Sequence, residues 1–405
     1  MGFFPKKELD KAAPVGCGRC GLHRGCKHPR MEASGGGSKK LLIIAESPSK
    51  EEDEKGVPLT GKGGQLLAET IYGLGWDMDH DCRKINAVSC RVPRKGGPTG
   101  DEIQACRPMV MREIRSYKPT SILLLGNAAV ESYWGDRYHD DAGPASLTRT
   151  RGFLIPDYEN KCWVGSTFHP NYVLRMEFDR VVKLVFAQDV AKSLAYGTQT
   201  LPVRLDPDKC VRVLHKTSEA LAALRKIRQK RPLVAFDYET TGLKPHADGH
   251  RVKSIAVAVS DTVSYSFLFD EALRKDWVAI LRDKRIKKVA HNLFMEDSWS
   301  RVFFGTETKG WFADTRLIAH MLDNRQSITP LKFLAWLIFG LDNYGEEMRK
   351  YLEPSNTRKA RDGDNAFNTI DEAPIHKLLF YGGIDALITR RMLSLWKNRG
   401  LICTG

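Results

Sequence analysis

Apolar positions in the first half of the chain come in short blocks separated by amphipathic stretches. Lys40–Ala45 (KLLIIA), Ser121–Leu125 (SILLL) and Cys162–Phe168 have the length and continuity of buried strands, and Lys84–Ser89 is a shorter candidate. Gly64–Leu74 carries helical spacing. Thr99-x-x-Glu102 forms a capping box ahead of a helix running to about Tyr117, with Pro119 as its stop. Strands alternating with helices predict a mostly parallel sheet covered on both faces. Such sheets bind ligands beyond the carboxyl ends of their strands, where Glu46, Asn86 and His169 fall.

The second half follows another pattern. A helical stretch, Ser218–Gln229, precedes Leu233–Phe236, which runs into Asp237-Tyr238-Glu239-Thr240. Val252–Ser260 and Val263–Phe269 read as a hairpin turning at Asp261-Thr262, and the remainder is largely helical. This predicts a mixed sheet of the α/β or α+β kind. Two segments act as punctuation: Ser34–Ser38 (SGGGS) as a flexible joint, and Gly197–Asp208, with two prolines, as a domain boundary. The expected division is 1–200, a linker 201–212, and 213–405. No apolar run approaches the ~20 residues of a membrane span, so the expected setting is soluble and cytoplasmic.

Composition narrows the partners. With 42% hydrophobic residues the chain has material for real cores, which excludes disorder as its main state. Lys and Arg number 63 against 49 acids, a net charge of +14, and both halves share the excess. A polyanion such as nucleic acid is the partner this favours. The nine cysteines crowd toward the N-terminus. Cys17-x2-Cys20 can close on one metal or cluster, with zinc and redox roles open. Cys90 and Cys106, with 15 residues between them, suit a four-thiolate iron–sulfur cluster better than a zinc ribbon. Cys26 with His28 competes for one ligand position, and Cys82, Cys162, Cys210 and Cys403 read as core or incidental.

From Cys17 to Arg175 the order CGRCGLHRGC, AESPSKEEDEKGVPLTGKGGQLL, INAVSCRVP, DEIQACRP, KPTSILLLGNAAV and FHPNYVLR resembles the iron–sulfur uracil-DNA glycosylases of family 4. The resemblance implies an α/β/α sandwich with a 4Fe-4S cluster on Cys17, Cys20, Cys90 and Cys106. It places Glu46 in the first active-site motif, Asn86 on the uracil edge, and His169 at the base oxygen that gains charge on leaving. Amide and imidazole donors suit that charge, and the base must be flipped into the pocket. The family's Gly-Glu-Ala-Pro-Gly is here Ala45-Glu46-Ser47-Pro48-Ser49, and Leu59 stands where an aromatic residue stacks on uracil. Weak or absent base excision is the expectation.

Asp237 and Glu239, two apart on a strand, leave the same face, and Tyr381 and Asp385, four apart in YGGID, share a helix face. His291–Asp297 adds further acids between them. The three elements in this order resemble the 3′–5′ proofreading exonuclease domain of family A DNA polymerases, of the subclass with a tyrosine in its third motif. Asp314-Thr315 and Leu331–Leu334 extend the likeness. It implies a ribonuclease H-like fold in which Asp237, Glu239 and Asp385 hold two Mg²⁺ or Mn²⁺ ions, Tyr381 orients the attacking water, and Glu296 supplies the second-motif acid, with Asp297 as the alternative. Clustered carboxylates repel unless cations intervene, and two metals can clamp a phosphodiester. The domain order resembles the start of some phage-encoded polymerases. No length remains for polymerase palm, fingers and thumb, so the expectation is a separate proofreading subunit with a polymerase partner, or a fragment. The expected function is removal of nucleotides from single-stranded or frayed DNA 3′ ends in replication or repair. The rivals are a non-catalytic DNA- or polymerase-binding adaptor and an exonuclease acting on RNA.

Overall fold

The apolar runs of the first half become strands because they can be buried on both faces. In the computed structural model every residue of β1 (Leu41–Ala45) and β3 (Ser121–Leu125) is buried, and β2 (Cys82–Asn86), β4 (Leu154–Asp157) and β5 (Cys162–Thr167) complete the sheet. The structure describes residues 17, 19–135, 137–140, 142–353 and 366–402; Cys403 lies outside them. These divide into two compact units, Met1–Arg204 with Trp336–Asp342, and Leu205–Ala335 with Asn343–Gly405.

The N-terminal sheet has the order β2-β1-β3-β5-β4, parallel except for β4. Helices α1 (Lys50–Lys55), α2 (Lys62–Tyr72), α3 (Gly100–Tyr117), α4 (Asn127–Trp134), α5 (Pro170–Arg175) and α6 (Arg180–Tyr196) connect its strands. Leu41, Ile43, Leu123 and Leu125 on one face pack with Leu67 and Ile71 of α2 and Phe186, Val190 and Leu194 of α6. Helix α4 covers β1 and β3 and packs on α3. Ala45 pairs with Asn86, which brings the ends of β1 and β2 side by side. The predicted strand 84–89 is thus shifted to Cys82–Asn86, with its last residues forming the loop beyond the sheet.

The SGGGS joint is corrected by the structure. Ser34 and Lys84 exchange backbone hydrogen bonds of 2.9 and 2.8 Å, and Gly36 N–H donates to Asp79 O at 2.7 Å. A Cβ on Gly35, at φ +92°, would lie 2.2 Å from Cys82 O. These glycines allow close backbone approach, so the segment is an edge lying against β2 rather than a hinge.

In the C-terminal unit β6 (Val211–Leu214), β7 (Val234–Thr240), β8 (Val252–Ser260), β9 (Val263–Leu268), β10 (Lys288–Ala290) and β11 (Trp311–Asp314) form one sheet in the order β11-β10-β7-β8-β9-β6. β7, β8 and β9 are antiparallel neighbours, whereas β6, β10 and β11 pair in parallel. Strand β6 occupies the end of the expected linker, and β11 interrupts the stretch read as helical. The helices are α7 (Thr217–Lys230), α8 (Arg274–Arg282), α9 (Leu293–Val302), α10 (Thr315–Leu322), α11 (Leu331–Phe339) and α12 (Ile375–Asn398). Phe236 and Tyr238 on one face of β7 join Trp277 and Trp299 in the main core. On the other face small residues, Ala235, Ala256, Ala258 and Ala386, let α12 lie close to the sheet. A Cβ on Gly383 would meet Val211 at 2.4 Å, so that approach depends on glycine. Among the described residues no helix is long and apolar enough to cross a membrane.

Candidate active sites

Strand periodicity sends Asp237 and Glu239 to the face opposite Phe236 and Tyr238, toward α12. There Asp385 meets them, and one carboxylate oxygen from each of the three lies within 4.8 Å of the others. Burial pushes the Asp237 and Glu239 carboxyls well above the usual carboxylate range, and the neighbouring acids push them further. At that separation two unit charges repel by about 3 kcal/mol at an effective dielectric of ~20. A divalent cation relieves this, and an all-oxygen donor set suits Mg²⁺ or Mn²⁺.

Glu296 and Asp297 are adjacent in sequence but separate in role. Glu296 is 4% exposed, its Oε2 has no hydrogen-bond partner, and the Asp237 charge acts on it. Asp297 instead accepts from Arg301 Nε at 2.6 Å, Thr308 N at 3.2 Å and Trp311 Nε1 at 3.4 Å. Asp314 fixes the start of α9: it accepts from Asn292 N at 3.1 Å and Leu293 N at 2.9 Å while capping α10. Glu296 is thus carried near Asp237, outside the trio itself, by a helix whose first turn is tied down.

Tyr381 is buried one helical turn before Asp385. Lys332 Nζ donates to its hydroxyl and lies 4.6 Å from its ring centroid. Tyr344 Oη donates to Asp385 Oδ1 at 2.6 Å. Sequence reasoning did not place Lys332 or Tyr344 in the site. Lys332 had a signal, as the one charge in the apolar helix LKFLAWLIF; Tyr344 had none.

In the N-terminal unit a cavity of 260 Å³ is lined by Leu59, His169, Asn171, Lys62 and Ser49 among others. His169 Nδ1 accepts from Asn171 N at 3.2 Å, which puts the neutral ring's proton on Nε2. Burial holds this imidazole below its usual pKa, against the opposing charges of Glu46 and Glu52. Glu46 Oε1 accepts from Ala128 N at 3.3 Å, at the N-terminal turn of α4. Asn86 is 2% exposed and donates to the weak acceptor Met31 Sδ at 3.7 Å. Leu59 and His169 therefore line the cavity, Glu46 acts on His169 through charge, and Asn86 ends the neighbouring strand.

The backbone around Glu46 does not call for the two glycines of the family's motif. Ala45 lies within β1, and Ser49, at φ −70°, needs no glycine. Ser49 caps α1 in a reciprocal box with Glu52. Leu59 alone is unusual, a buried leucine at φ +59°.

Cys17, Cys20, Cys90 and Cys106 are all free thiols, Cys90 and Cys106 buried and the other two partly so. Burial raises the Cys90 thiol to about 12 and Cys106 to about 11; Cys17 acts electrostatically on both, and Cys20 on Cys106. Cys26 also lies beside Cys90 and contacts Arg91 O at 3.8 Å. His28 turns away, with Nδ1 2.6 Å from Asp53 O.

Comparison with known proteins divides the chain at the same two sites. Residues 34–191 match the uracil DNA glycosylase superfamily and residues 213–396 the 3′–5′ exonuclease family. The type-4 uracil-DNA glycosylase of Pyrobaculum aerophilum is 30% identical over 205 residues, 48% of this chain and 94% of that protein. That of Thermotoga maritima is 29% identical over 185 residues, 44% of this chain and 88% of the relative. Among solved structures, Brucella melitensis NrnC with bound Mg²⁺ aligns over 47% of this chain and 81% of that one, at 18% identity and TM-score 0.34. The Trypanosoma brucei RNase D:GMP complex aligns over 47% and 57%, at 18% identity and TM-score 0.35. The chain belongs, through its N-terminal unit, to the type-4 uracil-DNA glycosylases, and joins to that unit a 3′–5′ exonuclease domain.

Proposed function

We propose that the chain is a metal-dependent 3′–5′ exonuclease that shortens single-stranded or frayed DNA ends, with Asp237, Glu239 and Asp385 as the cation ligands. The observation that carries this is the trio of carboxylates gathered within 4.8 Å of one another, with burial and the neighbouring acids pushing the Asp237 and Glu239 carboxyls up. Two divalent ions there would activate water and stabilise the leaving oxygen. Glu296, with one unpartnered oxygen, completes the acidic wall. Tyr381 orients the attacking water through its hydroxyl, and Asp314 keeps Glu296 in reach. Incubating end-labelled DNA with Mg²⁺ should release 5′-monophosphates stepwise from the 3′ end, and excess EDTA should stop it. Digestion unchanged by EDTA would overturn the reading, and an RNA strand of the same sequence tests sugar preference.

The N-terminal unit, on the same reading, receives uracil-containing DNA. His169 offers an Nε2–H to the base oxygen, Asn86 its amide to the base edge, and Glu46 its charge near the sugar. Cys17, Cys20, Cys90 and Cys106 fit a 4Fe-4S cluster as a free, partly buried thiol set, which would tie the N-terminal segment to α3. A DNA polymerase is the partner a proofreading activity would serve, and a basic chain with no candidate membrane span among its described residues is consistent with work in the cytoplasm of a host cell.

A further inference from the structure

Lys332 stands out because the proposed reaction does not use it, yet it touches the site's tyrosine. An ammonium has three protons to give and no lone pair. In its contact with Tyr381 the phenol oxygen must therefore accept, and the phenol's own proton must point elsewhere. The same ammonium lies over the Tyr381 ring at 4.6 Å, which fixes the ring as well as the oxygen. Asp385, one helical turn away, and Glu239 both act on this phenol, so a proton not engaged with Lys332 can turn toward the carboxylate cluster.

The surroundings keep this pair together. A Cβ on Gly345 would fall 2.4 Å from Lys332 Cε and 2.9 Å from Tyr381 Cε2, so only glycine leaves room for the stacked side chains. The neighbouring Tyr344 donates to Asp385 Oδ1 at 2.6 Å, so that oxygen already has a partner. The Tyr381 proton is then open to a molecule arriving at the cluster.

We propose that Lys332 is a positioning residue of the exonuclease reaction, holding the Tyr381 phenol as a donor aimed at the attacking water. This rests on the exonuclease reading of the same site. Lys332 acts through Tyr381, so its removal should slow the chemical step and leave substrate affinity nearly unchanged.

The test is a double-mutant cycle on the full chain, with 5′-labelled single-stranded DNA and Mg²⁺. Lys332→Met and Tyr381→Phe should each lower kcat by about tenfold to a hundredfold with KM within about twofold, and the double variant should lose no more than the worse single. Lys332→Arg, which keeps a donor cation, should recover most of the loss. Thermal midpoints of Lys332→Met and Lys332→Gln guard against misfolding, with Lys332→Gln replacing Lys332→Met in the cycle if the latter unfolds. Multiplying losses in the double variant, or a raised KM at unchanged kcat, would overturn the role of Lys332 alone. Absence of any Mg²⁺-dependent cleavage by the parent, or full activity in Asp237→Ala, would overturn the exonuclease reading and this inference with it.

Discussion

Glu46 and Glu296 are both carboxylates carried shortly beyond a strand, one in each unit, and they are treated in opposite ways. Glu46 accepts a backbone N–H from the start of α4, where the helix dipole also favours negative charge. Glu296 is buried with one oxygen unpartnered, beside Asp237. The same contrast extends to the rest of each site. His169 is set by a backbone N–H, so the glycosylase-type cavity is assembled from the chain's own donors and acceptors. Asp237, Glu239 and Asp385 bring like charges together instead, a set of oxygens that could hold a metal ion. A pocket that recognises a base needs fixed donors, whereas a centre that cleaves phosphodiesters stores its unmet charge for cations.

The sharpest way to break this comparison is at the cation ligands. Asp237→Ala should lower exonuclease turnover by about a thousandfold or more while near-UV circular dichroism and DNA binding stay close to the parent. EDTA should reproduce that loss, yet leave retention of uracil-containing DNA by the N-terminal unit unaltered in a gel-shift assay. Equal sensitivity of both properties to EDTA would show that the two sites do not differ as argued. Within the second motif, Glu296→Ala should cost activity more than stability. Asp297→Ala should do the reverse, lowering the thermal midpoint because Thr308 N and Trp311 Nε1 lose their acceptor.

The cluster site gives the next effect. Cys106→Ser or Cys17→Ser should remove the broad visible absorbance and the iron of anaerobically purified protein, with exonuclease turnover in the other unit held within about twofold. Stoichiometric zinc without iron would contradict the assignment of these thiols.

A smaller effect is expected at Leu59. Its side chain covers part of the cavity but presents no ring to a planar base, so excision should be weak in the parent. Leu59→Phe should raise abasic-site formation from uracil-containing DNA several-fold, and Asn86→Ala should abolish the gain. Robust excision by the parent would show that a leucine suffices.

What the sequence could reveal of these sites followed chain geometry. Asp237 and Glu239 were legible from the strand period of two, and Tyr381 with Asp385 from the helical turn. Neighbours in sequence with opposite fates were not: Glu296 and Asp297 differ only in what the fold brings to them, here Thr308 and Trp311. The short edge strand Val211–Leu214 and the half-exposed Trp311–Asp314 lack the apolar run that betrays buried strands. Ser34–Ser38 misled because glycine serves close approach as well as mobility, and only Cys82 O, distant in sequence, decides between them.

The smallest effect concerns a half-buried histidine behind the exonuclease site. His291 follows β10 and supports the loop that opens α9, with Nε2 2.9 Å from Thr329 O and Nδ1 2.9 Å from the Thr315 hydroxyl. The carbonyl can only accept, so Nε2 carries a proton. Burial lowers its pKa from 6.5 to about 4. Between those values the unfolded chain binds a proton that the folded one refuses, so stability rises with pH across this window and is lost as pH falls through it. The full shift corresponds to about 3 kcal/mol. His291→Gln keeps one donor and one acceptor but cannot charge. Its thermal midpoint should therefore fall less steeply from pH 6.5 to pH 4 than the parent's, with the two curves closest at the acid end. Parallel curves over that range would mean that the acid sensitivity lies in other groups, and that His291 supports the α9 loop without titrating.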